Sequence, residues 1–345
     1  MISMKRRNTK KKFVKKGRTK KDKVKKGRVT KKKIVLYGGK KRTSLKKKEM
    51  SKKTTEKNKE ISKKKLQCSA NESSNSFSCY NREQLLKLKE YWNLRYPKNK
   101  INSVDPYEIW QKLSYLMKNI CNTDDCWLRQ KFVTMMNDKN LTFEEIYAPI
   151  APKKWKRNKN EWLNSLDILH VMKSYEKKNK HFDFIGPSPI DFDKRLQDGE
   201  CVWNELCNFE LSKSLKKGKT DIGFIFNTDY HDEPGSHWVS MHVKLNIKEK
   251  DGYIFYFDSV GDEVPSEIIK LQKRIQQQGQ KLGYKLRLMD TSGFRHQYKT
   301  TECGVYGIYF IVSLMKNIHS AEYWQKNRIP DHEIEKYRKI FWNKI

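Results

Sequence analysis

The stretch Gln297-Tyr298-Lys299-Thr300-Thr301-Glu302-Cys303-Gly304-Val305-Tyr306-Gly307-Ile308-Tyr309-Phe310-Ile311-Val312 turns from a polar loop to an apolar run at a single cysteine. From Cys303 to Ile318 the pattern reads as a helix that is apolar nearly all round. Such a helix belongs in the centre of a domain. A thiol at a helix start sits at the positive end of the dipole, where its anionic form is favoured. Gln297, six residues earlier, carries an amide that could donate to a developing oxyanion. Gly304 leaves room for backbone to approach a substrate.

Working outward, two more short stretches end regular elements. Gly235-Ser236-His237-Trp238 opens a strand over Trp238–Ile247, with Val239, Met241, Val243 and Leu245 on one face. Asp251-Gly252 reads as a hairpin turn. The next strand, Tyr253–Phe257, stops at Asp258-Ser259. His237 could serve as a base or acid toward Cys303, and Asp258 could fix its tautomer. Each residue alone has an ordinary explanation in packing or surface chemistry. It is the joint set, each at an element end, that points to a nucleophilic site. His231, six residues before His237, is a decoy base. His242 has the opposite strand parity and should face away. His296 reads as a loop residue near the site, and Asp290 falls after a different strand.

Further out, Ile222–Asn227 reads as a buried strand, Pro265–Gln278 as a helix and Tyr284–Met289 as a strand. Trp162–Tyr175 reads as a helix, Phe182–Asp193 as loop and extended chain, and 321–345 as helical with a break at Pro330. Residues 80–158 form a helical subdomain, with Leu85, Leu88 and Trp92 at helical spacing and Asn81 as an N-cap. Residues 67–79 read as a polar linker, and 159–345 as the catalytic domain. The fold class expected is α+β, a central mixed sheet flanked by helices.

The 345 residues carry a formal charge of +35, and most of it lies in residues 1–66, with 31 Lys and Arg against 4 Asp and Glu. This segment has too few large apolar residues to offset its ordering entropy and is expected to be a disordered basic tail. Its charge density favours sequence-independent contact with nucleic acid. Nuclear import and simple solubility are the other readings. No apolar run reaches the ~18–20 residues of a membrane helix, so no membrane partner is expected. The start of the chain lacks the apolar core of a secretory signal. Cys68, Cys79, Cys121, Cys126, Cys201 and Cys207 are therefore expected as reduced thiols, like Cys303. Cys121/Cys126 and Cys201/Cys207 could be halves of a zinc site, but neither has the tight spacing that metal binding favours.

His-Trp, a strand ending in Asp, then Gln-x5-Cys-Gly resembles the adenovirus protease and SUMO-protease superfamily of cysteine peptidases. Within it the chain looks most like the thiol proteases of mimivirus-type large DNA viruses. The resemblance runs through Trp162–Asn164, Asp183–Pro187, Gly223–Asn227, Gly235–Val239, Phe257–Gly261 and Thr301–Tyr306, over most of residues 160–320. It implies a papain-like arrangement in permuted order, with His237 as base, Asp258 as orienting acid, Gln297 as oxyanion residue and Cys303 as nucleophile. It implies that Trp162 and Trp238 cover a tunnel admitting only Gly-Gly before the cut, with Gly304 beside the substrate. It implies no metal or organic cofactor. The activity implied is cleavage of viral structural polyproteins at Gly-Gly-X during maturation, in the virion and the host cytoplasm. One rival is a deconjugase for host ubiquitin-like proteins; the other is an idle DNA-binding virion protein. The helical segment from Tyr80 to Asn140 has no counterpart in a minimal SUMO-protease domain.

Overall fold

Alternating apolar residues build a sheet whose two faces are both buried, and helices must then cover both. The computed structural model describes residues 66–72 and 75–344. The main elements are α1 (Arg82–Arg95), α2 (Pro106–Met117), α3 (Ser165–Lys178), β1 (Phe182–Pro189), β2 (Asp221–Asn227), β3 (Trp238–Asn246), β4 (Asp251–Phe257), α4 (Ser266–Lys281), β5 (Lys285–Met289), α5 (Cys303–Met315), α6 (Ala321–Lys326) and α7 (Asp331–Phe341). The five strands lie in the order β1-β2-β3-β4-β5. The two outer pairs are parallel and the inner pairs antiparallel. This is the α+β fold with a mixed sheet that the sequence predicts.

One face carries Phe184, Ile225, Trp238, Phe255 and Phe257 and packs under α3, α5, α6 and α7. The other carries Phe224, Val239, Met241, Val243, Ile254 and Tyr256 and packs under α4. Helix α5 comes very near the sheet because Gly307 faces Ser240; a Cβ there would lie 2.4 Å from Ser240 Oγ. Close approach at this point fixes how far Cys303 stands above the ends of β3 and β4.

A third cluster unites α1, α2 and their loops, including Leu85, Leu88, Trp92, Ile109 and Leu113. Asn81 caps α1 as expected, accepting from Gln84 N while the Gln84 side chain accepts from Asn81 N. All described residues nevertheless fall in one compact unit, with no division near residue 158.

Several expectations are corrected. Residues 67–79 do not act as a linker. Cys68, Ser69, Ala70, Ser78 and Cys79 are buried, Cys68 bridges to Tyr147, and the Asn343 side chain binds both Gln67 N and Gln67 O. Six of the seven cysteines are not thiols: Cys68–Cys79, Cys121–Cys126 and Cys201–Cys207 form disulfides with Cα separations of 5.3, 5.5 and 6.3 Å. Loop folding brings each pair within bonding reach, which irregular spacing in the sequence does not reveal. Among the described residues no group of three or more His, Cys, Asp or Glu could hold a metal. The Asp251-Gly252 pair lies inside β4, opposite Asn246 and Leu245; the turn precedes it, with Lys250 taking the positive φ of 55°. Within the stretch read as loop and extended chain, Phe182–Pro189 is a full strand. No helix among the described residues is long and apolar enough to cross a membrane. The basic tail lies outside the described residues, apart from Leu66.

Candidate active site

The antiparallel register that pairs Ser240 with Phe257 puts the start of β3 beside the end of β4. His237, just before β3, and Asp258, just after β4, are brought together in this way. His237 Nε2 lies 2.7 Å from Asp258 Oδ1, and Asp258 is buried. Its carboxylate also accepts Val260 N–H at 3.0 Å. Thr291 pins its backbone, accepting from Asp258 N and donating to Asp258 O. Cys303 lies close enough to the imidazole to influence its proton affinity.

Burial alone would pull His237 down. The hydrogen bond to Asp258, the charge of that carboxylate and the nearby Cys303 sulfur outweigh it, and His237 is pushed up to about 10. The ring therefore holds its proton at neutral pH. Cys303 is 3% exposed, opens α5 and is the free cysteine among the described residues.

Gln297 is buried and held by Ser259, whose hydroxyl donates to Gln297 Oε1 at 2.7 Å and whose carbonyl accepts Gln297 N–H at 2.7 Å. This turns the amide nitrogen away from Ser259. One of its hydrogens goes to Lys299 O, and the other remains for a donor role. No sequence signal marks Ser259 beyond its place directly after Asp258.

Trp162 departs from expectation. It is not in a helix: Asn164 and Asp167 form a reciprocal cap that starts α3 at Ser165, leaving Trp162 in the preceding loop. The indole is 41% exposed, which removes ordinary helix packing as its explanation. It lines a groove of about 520 Å³ with Trp238, Trp203, Tyr230, His231 and Gly235. Trp238 is buried and donates its indole N–H to Leu163 O at 2.9 Å. Gly304 has a different reason from the one expected. A Cβ there would meet Leu163 and Trp238 at 3.1–3.2 Å, so the glycine lets the two groove walls close over the helix start.

The remaining candidates separate from the site. His231 Nδ1 binds Asp191 at 2.7 Å in the groove wall. His242 is buried, near the Tyr253 hydroxyl, and burial drives it down to about 3. His296 is buried between Trp324 O and Ile329 N, and burial drives it down to about 4. Burial thus disfavours the charged form of both rings. Asp290 binds Ser292 N and lies outside the His237 bond network.

The model of the Ulp1 protease family, C-terminal catalytic domain, matches residues 213–344. A protein of Acanthamoeba polyphaga mimivirus described as a thiol protease is 29% identical over 287 residues, 77% of this chain and 89% of its own length. A SUMO-1 cysteine protease of African swine fever virus is 31% identical over 188 residues, 53% of this chain and 68% of its own. A crystal structure of the African swine fever virus protease superposes with a TM-score of 0.56 at 21% identity, over 81% of this chain and 96% of that one. At this identity the superposition speaks for the fold.

Proposed function

The chain belongs to the Ulp1 protease family of cysteine peptidases, and we propose that it is an endopeptidase cutting viral structural polyproteins after Gly-Gly during virion maturation. The observation that carries this reading is the imidazole of His237 bonded to Asp258 and influenced by the nearby Cys303, beside a groove walled by Trp162 and Trp238.

In this reading the one proton shared by Cys303 and His237 rests on the ring as Cys303 Sγ adds to the carbonyl carbon of the scissile peptide. Negative charge grows on the carbonyl oxygen, where the free Gln297 amide hydrogen and backbone N–H groups at the start of α5 can donate. The C–N bond breaks as His237 passes its proton to the leaving amine. Water then adds to the thioester, His237 takes its proton, the C–S bond breaks, and the new carboxyl end departs. Asp258 holds the ring through both steps. No metal or organic group is needed for this sequence.

Indole faces covering a narrow channel select against side chains, because any Cβ would collide with a ring plane. Peptides with Ala at either position before the cut should therefore react far more slowly than Gly-Gly. Trp162→Ala should relax that preference. Equal turnover of Ala-Ala and Gly-Gly peptides would remove the channel from the account. Mapping the cleavage sites of viral core proteins with wild type and Cys303→Ala tests the maturation role. The same experiment on virions would place the enzyme there or in the host cytoplasm.

A second reading is favoured by the description of the swine fever virus relatives as SUMO-1 cysteine proteases: deconjugation of host ubiquitin-like proteins, whose tails also end in Gly-Gly. Labelling by a ubiquitin-like vinyl sulfone with no cleavage of core proteins would favour it.

A further inference from the structure

Glu302 and Arg338 form a fully buried ion pair beside the nucleophile. Glu302 is the residue before Cys303 and is 0% exposed. It stands at the N-cap of α5 but makes no side-chain capping bond; its carboxylate turns instead to Arg338 Nε, at 2.7 and 3.1 Å. Arg338 comes from α7, and each nitrogen of its guanidinium is engaged. Nη2 donates to Thr301 O at 3.1 Å. Nη1 donates to Glu161 O at 2.9 Å. The flat face lies 4.6 Å from the Trp155 ring.

The Glu161 contact reaches the segment that carries Trp162, a wall of the groove. Trp162 stands between two backbone carbonyls, each held by a buried donor: Glu161 O by Arg338, and Leu163 O by the Trp238 indole. One guanidinium thus touches the segment that presents the nucleophile and the segment that presents the exposed groove indole. A lysine has the charge but not the fork, so it cannot make these bonds together. A bare carboxylate next to Cys303 would also repel negative charge on its sulfur, and Arg338 neutralises it.

We infer that Arg338 is a positioning residue that sets the Cys303 helix start and the Trp162 loop in mutual register. The inference rests on the reading of Cys303 as nucleophile and Trp162 as groove wall. A buried ion pair of this kind contributes little net stability and is costly to break one-sidedly. Geometry is a better account of its presence than stability.

The test uses the full chain. Arg338→Lys keeps the charge. A second variant, Glu302→Gln with Arg338→Gln, leaves no unpaired buried charge if the lysine protein does not fold. Lys339→Ala, an exposed neighbour on α7, is the control, and Cys303→Ala is measured in the same assay. Folded Arg338 variants, judged by near-ultraviolet circular dichroism, should lose about 10²-fold in kcat, the scale of a ~1 Å misplacement. They should also lose discrimination between Gly-Gly and Ala-Gly peptides. A lower melting temperature with wild-type kcat and wild-type discrimination would overturn the inference, because a purely structural role moves only the first. Residual cleavage by Cys303→Ala would instead overturn the underlying assignment of the nucleophile.

Discussion

The helical layer around α1 and α2 and the junction of β3, β4 and α5 solve the problem of holding loops by different means. In the helical layer, two covalent cross-links, Cys68–Cys79 and Cys121–Cys126, close short loops. One acceptor, Asp124, gathers Ser78, Trp110 and Tyr147 donors around it. At the junction proposed as catalytic, no disulfide is present among the described residues. Buried polar groups hold one another instead: His237 with Asp258, Ser259 with Gln297, Glu302 with Arg338. A site that uses a thiol gains from polar rather than disulfide fastening, since a neighbouring cystine could exchange with the nucleophile. The contrast teaches that the same residue type serves as fastener in one region and as reactive group in the other. Environment makes the difference.

The largest expected effect isolates the reactive cysteine. Cys303→Ala should abolish peptide cleavage while the far-ultraviolet spectrum and melting temperature stay close to wild type. Retained activity would mean that the junction is not the catalytic region. Next comes Gln297→Ala, for which kcat should fall by ~10²–10³ with a smaller change in KM, the usual scale for one oxyanion donor. A pure KM effect would assign Gln297 to substrate binding.

The pH profile sharpens the comparison further. The His237 ring is held above its ordinary value, so its proton is present through neutral pH and is lost as pH rises through about 10. The rate of cleavage should fall on that alkaline side, because a neutral ring cannot protonate the leaving amine. His231→Ala should leave this limb in place. A profile whose alkaline fall instead follows His231 would move the base into the groove wall.

A smaller effect is expected on the other side of the comparison. Replacing Cys68 and Cys79 by Ser opens a loop with a sequence separation of 11 residues, which should cost about 2–3 kcal/mol of stability and leave kcat nearly unchanged. A large loss of kcat would show that the helical layer and the site are coupled. The smallest effect concerns the basic tail. Cleavage of short peptides by residues 67–345 should match that of the full chain, while affinity for DNA or RNA should drop and lose its steep salt dependence. Equal binding by the two proteins would exclude the tail as the polyanion site.

The fold and the meeting of His237 with Asp258 are legible because they are written in local pattern. Alternation in Val239–Leu245, the wholly apolar run after Cys303 and the placement of His237 and Asp258 at strand ends each depend on neighbours a few residues away. Trp162 was misplaced into a helix because periodicity runs smoothly through it. Only the reciprocal cap at Asn164 and Asp167 decides the boundary. The hairpin turn was shifted for a similar reason: Asp-Gly is a strong turn signal, but the register of β3 with β4 places it in the strand.

The sequence by itself determined the fold class, the chain order of the groups proposed as catalytic and the residue types that meet at the junction. The tertiary structure alone decided which cysteines are joined, that Trp162 is exposed in a groove, how tightly Leu163 and Trp238 pack on Gly304 and that Arg338 reaches Glu302 and Glu161. The physical reason is distance along the chain. Helix and strand periodicity report contacts over three or four residues and the face on which a side chain lies. A bond spanning 36 residues, as between Arg338 and Glu302, or 177, as between Arg338 and Glu161, leaves no trace in any local period.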